Sequence, residues 1–77
     1  MLVQLESTTK IVEVTINGQT LPARVWEGTT AMGVPCHAFI TCIAVANDAD
    51  QSQFERELIE QKPPSEEVAG IPMRMIF

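Results

Sequence analysis

Between Lys10 and Gly28 the chain alternates. Val12, Val14 and Ile16 are interleaved with Glu13 and Thr15, the period of two that marks a strand with one buried face. Asn17-Gly18 follows, the pair preferred where a two-residue hairpin turn demands positive φ. The returning strand runs from Leu21 to Thr29. Pro22 has no N–H for a ladder hydrogen bond, so it belongs at the start of that strand or on an open edge. A second turn about Gly33 leads into a third strand, residues 34–46, which contains no Asp, Glu, Lys or Arg.

Beyond Asn47 the grammar becomes helical. Phe54 and Leu58 share one face at i, i+4, Ile59 widens the stripe, and Asp48, Asp50 and Ser52 are candidate N-caps. A helix over 50–61 is expected, stopped by Pro63-Pro64. "SEEVAG" forms one capped turn ending at Gly70, and residues 71–77, "IPMRMIF", read as a last strand. Residues 1–9 open apolar and turn polar, which fits a flexible or capping arm or a short extra strand. The chain is therefore expected to be a single α+β domain over 1–77, with the three-stranded meander over 10–46. Its sheet is four-stranded and mostly antiparallel, β-β-β-α-β, in spatial order 3-2-1-4, with one helix packed on one face.

The third strand carries the most information. Cys36, Ala38, Ile40, Cys42, Ala44 and Ala46 alternate with His37, Phe39, Thr41, Ile43 and Val45, so both faces are apolar. One helix covers one of them. The small even-numbered side chains suit close approach by Phe54 and Leu58, with Val12, Val14 and Ile16 joining that core. This leaves Trp26, Phe39, Ile43 and Val45 for an interface on the outer face, unless the N-terminal arm folds over it. The last strand offers an alternative contact through Met73, Met75 and Phe77, because Arg74 is the only charge guarding that edge.

Composition sharpens this picture. A 77-residue chain lacks the core volume to be amply stable alone, so a staple or a partner subunit is expected. Charged residues are 19% of the chain, a low share that favours apolar surface hidden in a homo-oligomer, most simply a dimer. Ten acids against five bases give a net charge of −5. The excess is local: Asp48, Asp50, Glu55, Glu57, Glu60, Glu66 and Glu67 lie in one stretch with only Arg56 and Lys62. No cluster of Lys and Arg offers to neutralise phosphates, which argues against direct nucleic-acid binding. The acidic stretch defines an alternative role, a decoy that mimics a phosphate backbone and antagonises a nucleic-acid-binding protein. No apolar run approaches the ~20 residues that span a bilayer, and "MLVQLESTTK" lacks a basic n-region and an apolar h-region. Cytoplasmic residence and reduced thiols are expected.

Candidate chemistry is sparse. Cys36 and Cys42 in one extended strand stand ~20 Å apart, whereas a disulfide needs Cα atoms within ~7 Å. Cys36 and His37 are strand neighbours pointing to opposite faces, so they do not converge on a metal or form a thiol–imidazole pair. The four glycines do not form a phosphate loop, and a domain this small has little room for a pocket of ~300 Å³ or more. Neither a cofactor, a metal nor an enzymatic activity is expected. The reading is a small non-enzymatic protein acting by protein–protein association, as an adaptor or regulatory module.

Overall fold

The computed structural model describes residues 1–76. Its elements are β1 (Val3–Ile16), β2 (Gln19–Thr30), β3 (Pro35–Ile40), α1 (Gln51–Leu58), α2 (Glu66–Ala69) and β4 (Arg74–Ile76). One four-stranded sheet has the order β3-β2-β1-β4, the expected 3-2-1-4. The neighbours β1–β2 and β2–β3 are antiparallel and β1–β4 is parallel, so the sheet is mixed. Two helices accompany it, of which only α1 exceeds a single turn.

The β1–β2 hairpin is the frame. Asn17 (φ 51°) and Gly18 (φ 81°) form its two-residue turn and pair Ile16 with Gln19. From there the ladder runs to Val3 opposite Thr30, so residues 3–9, read as an arm or extra strand, are the first part of β1. The ladder is interrupted once: Ser7 faces Trp26 and Ile11 faces Arg24, so Thr8, Thr9 and Lys10 bulge against Val25 alone. The polar "STTK" stretch lies here because a bulge frees backbone groups that side chains must satisfy. Thr8 Oγ1 donates to the Val25 carbonyl at 2.6 Å and accepts from the Lys10 amide, and Arg24 donates to the Thr8 carbonyl at 2.8 Å. Thr8 is fully buried with these bonds made.

Register places the core differently from the sequence-based expectation. Val12 pairs with Ala23, Val14 with Leu21, and Val25 with Phe39. The core face therefore takes the odd-numbered residues of β3, and Phe39 packs against buried Val12, Val14, Ala23 and Val25. The even-numbered Cys36, Ala38 and Ile40 lie opposite Gly28, Trp26 and Arg24 on the other face. The alternation within each strand was legible, but the phase between β2 and β3 depends on the Ala31–Val34 turn. Gly33 (φ 83°) shapes that turn, with its amide bonded to the Thr30 carbonyl and the Thr30 amide to the Val34 carbonyl.

The helix that covers the core also differs. Val68 of α2 is the buried helical residue, joined by Ile71 and Met75, whereas α1 has none. β3 ends at Ile40, opposite Arg24, short of the expected Ala46; Pro22 beyond it lies in β2 past the end of β3. Residues 41–50 thus leave the sheet before α1 begins. Asp50 is the N-cap, its carboxylate accepting from the Gln53 amide at 3.0 Å and the Ser52 hydroxyl at 2.8 Å. The helix stops at Leu58, ahead of the two prolines, because residues 60–62 are drawn onto β1.

Candidate functional site: a groove between the sheet and helix α1

The clip that ends α1 is made of backbone and side chain together. The Ser7 hydroxyl donates to the Glu60 carbonyl at 2.9 Å, the Lys62 amide to the Ser7 carbonyl at 3.1 Å, and the Thr9 amide to the Lys62 carbonyl at 3.0 Å. Lys62 then reaches Glu27, with Nζ 2.9 Å from Oε1. The other Glu27 oxygen accepts from the Ser65 amide at 3.2 Å and its hydroxyl at 3.1 Å. Hydrogen bonding from the Lys62 ammonium, helped by Ser65, holds the Glu27 carboxyl below its ordinary value of 4.5 against the opposing effect of desolvation. The same bond raises the Lys62 amine above 10.5. Ser65 in turn caps α2, accepting from the Val68 amide at 3.4 Å. One carboxylate therefore ties the end of α1 to the start of the helix that closes the core.

Held by this clip, α1 stands beside the face opposite the core. Between them runs an open groove of about 590 Å³. Its apolar lining is Leu5 and Trp26 from the sheet, Ile43 from the loop after β3, and Phe54 and Leu58 from α1. Glu6, Glu57 and Glu60 also border it, with Lys62 as the only cation. The groove continues past Trp26 into a second hollow of about 430 Å³ against Ile11, Ile40 and Ile59. These spaces exceed what so short a chain was expected to offer. They exist because α1 packs no buried residue against the sheet.

The residues singled out from sequence are divided by this arrangement. Trp26 and Ile43 meet in the groove; Phe39 lies on the opposite face, in the core; Val45 is half-buried in the loop after β3. Met73 is exposed and Met75 half-buried beside the core, and Phe77 lies outside the described residues. Asp48, Asp50, Glu55, Glu57, Glu60, Glu66 and Glu67 are all exposed, but they split between α1 with its leading loop and α2 on the core side. Asp50 is committed as a cap, where the Gln53 amide chiefly holds its carboxyl below the usual value. Sequence reasoning missed Leu5 and the pair Glu27–Lys62. The first was assigned to an arm, and the second spans a contact no local pattern encodes.

The cysteines and the histidine do not meet as a reactive set. Cys36 is a half-buried free thiol on the Trp26 face, and Cys42 a free exposed one. His37 lies on the core face opposite Glu27, its ring edge-on to Phe39 with centroids 5.5 Å apart. Among the described residues no three His, Cys, Asp or Glu side chains are grouped to hold a metal ion. Among the described residues no helix is long and apolar enough to cross a membrane.

Fold and site together define a small α+β chain built on a mixed four-stranded sheet, with an apolar groove on the face away from its core. No family model, curated protein or solved structure matches it.

Proposed function

We propose that this chain is a small non-enzymatic association module that works as a homodimer through the outer edge of β4. The observation that supports the reading is the exposure of that edge. β4 is the terminal strand of the sheet, bonded to β1 on one side only. Its sole charge, Arg74, is paired across the ladder with Glu13 at 3.1 Å in an exposed contact, so a single cation is all that defends the edge. Met73 is 60% and Ile76 82% exposed, and Ile16 and Leu21 are exposed at the nearby hairpin tip.

A two-fold dimer needs a patch that complements itself. A strand edge satisfies this, since two copies pair antiparallel and extend one sheet into the next. A concave groove does not. The thin core, limited to Val12, Val14, Ala23, Val25 and Val68 as buried hydrophobics, gives association a thermodynamic role. The decoy reading gains less support, because the carboxylates divide between two helices and do not form one stripe.

The test is solution mass against concentration for the native chain and for Met73→Lys and Ile76→Lys. Both side chains are exposed, so the substitutions leave the protomer intact while placing a cation on the edge. Dimerisation of the native chain, abolished in both variants, is the expected result. A native monomer throughout contradicts the proposal.

A further inference from the structure

The groove beside α1 has a chemistry of its own that the edge dimer does not use. Its floor is apolar, with Leu5, Trp26, Ile43, Phe54 and Leu58 around a space of about 590 Å³, enough to admit one or two large side chains. Its border is acidic. Glu57 and Glu60 lie at the C-terminal end of α1, where the helix dipole is already negative, and Arg56 is the only basic residue in the last turn. Glu6 is the ladder partner of Glu27 on the other face of the sheet, near Lys62, so Glu57 and Glu60 are the carboxylates left for the groove, and the one cation in its lining, Lys62, is bound to Glu27. Carboxylates gathered at the negative pole of a helix, around an apolar cleft, are relieved by a cation from outside.

A second copy is poorly suited to supply it. All five Lys and Arg side chains of this chain are engaged internally. Lys10 donates to the Ala69 carbonyl, Arg24 to the Thr8 carbonyl and Arg56 to Gln53; Lys62 pairs with Glu27 and Arg74 with Glu13. Two copies carrying −5 each would also bring like charges together at this rim. The groove is concave, which fits a protruding segment better than a flat surface.

We infer that this groove is a docking site for a basic amphipathic segment of a different protein. One apolar side chain of that segment seats against Trp26 between Phe54 and Leu58, and flanking Lys or Arg residues meet Glu57 and Glu60. Binding of this kind is salt-sensitive, since its polar half is exposed ion pairing.

Trp26 is the only tryptophan, so its emission reports occupancy directly. The probes are three tryptophan-free peptides of about twelve residues: a leucine flanked by lysines at helical spacing, the same peptide with glutamates for lysines, and one with alanine for the leucine. Saturable change in Trp26 emission is expected with the first alone, weakened at least tenfold by raising salt from about 50 to about 500 mM. The charge-reversed double variant Glu57→Lys/Glu60→Lys should lower the affinity by a further tenfold or more. Both side chains are exposed, and an unchanged far-UV spectrum verifies the fold; Glu60→Gln is the milder variant should the double one unfold. Absence of saturation with the lysine peptide up to about 1 mM, a range in which even weak binding of about 4 kcal/mol registers, overturns the inference. So does equal response to the glutamate peptide, or full affinity in a folded double variant. The edge variants Met73→Lys and Ile76→Lys should bind the peptide like the native chain, which separates this site from the dimer contact.

Discussion

Gly28 shows how much one residue decides here. It sits in β2 between Leu5 of β1 and Cys36 of β3, and its φ is ordinary. What it lacks is space: a Cβ built there would overlap the Gln4 carbonyl oxygen and reach within 3.0 Å of the Leu5 Cα. Both are backbone, so nothing flexible yields. Gly28→Ala is therefore expected to push the first residues of β1 off the sheet and to cost about 1–3 kcal/mol, the usual range for overpacking, measured by denaturant unfolding. It should also disturb Trp26 emission, because Leu5 lines the groove. A core truncation acts without that signature. Val25→Ala, at a fully buried site against Phe39, should cost about 2 kcal/mol while leaving the groove intact.

Among the elements, the hairpin turn and the capped turn at Ser65 were legible because each is written in adjacent residues, and the strand order followed from the element sequence and the right-handed crossover that returns β4 beside β1. Asn17-Gly18 specifies positive φ in two positions, and Ser65 to Gly70 carries a complete cap. The identity of the core-covering helix was not legible. Phe54 and Leu58 form the stronger amphipathic stripe, yet Val68 is the residue buried, because the Ser7–Glu60 and Glu27–Lys62 contacts decide which segment reaches the core face. Those contacts join positions more than thirty residues apart, and the phase between β2 and β3 likewise rests on the turn between them. The Trp26–Ile43 half of the expected interface was visible as apolar sequence; that Phe39 belongs elsewhere required the register.

The clip also has a defined pH window. Glu27 titrates lower in the folded chain than in the unfolded one, so its contribution is fully present above pH 4.5 and fades as pH falls through the lowered folded value. Lys62 titrates higher when folded, so its contribution is complete below pH 10.5 and is lost as pH rises through the raised value. The ammonium end is substantially exposed, so solvent screening keeps the pair's contribution small. Glu27→Gln should flatten the acid limb of thermal stability and lower neutral stability slightly, both read from melting curves against pH. Asp50→Ala, which removes the cap of α1, should cost about 1 kcal/mol of local helix stability, read by amide exchange in residues 51–54, with little effect on the core melt.

For the whole molecule, the governing fact is how little of its apolar surface is used internally. The core face takes Val68, Ile71 and Met75 from the C-terminal segment, while Ile16, Leu21, Met73 and Ile76 are left at one end of the sheet and Ile11, Ile43, Leu58 and Ile59 around the groove. These two regions differ in shape and charge. The strand edge is extended and carries one cation, Arg74, in an exposed pair with Glu13; the groove is concave and bordered by carboxylates. They accordingly suit different occupants, a second copy for the edge and a basic segment for the groove. Association through the edge would raise apparent stability with concentration, so the melting temperature of the native chain should climb as protein concentration rises.

Sedimentation equilibrium of the native chain and of Ile76→Lys, over a hundredfold range of concentration, tests the central claim most directly. The account predicts a native species converging on twice the chain mass as concentration rises, and a variant that keeps the native fold and remains at the mass of one chain. A native chain that stays monomeric across the range, or a dimer that Ile76→Lys leaves undisturbed, would contradict it.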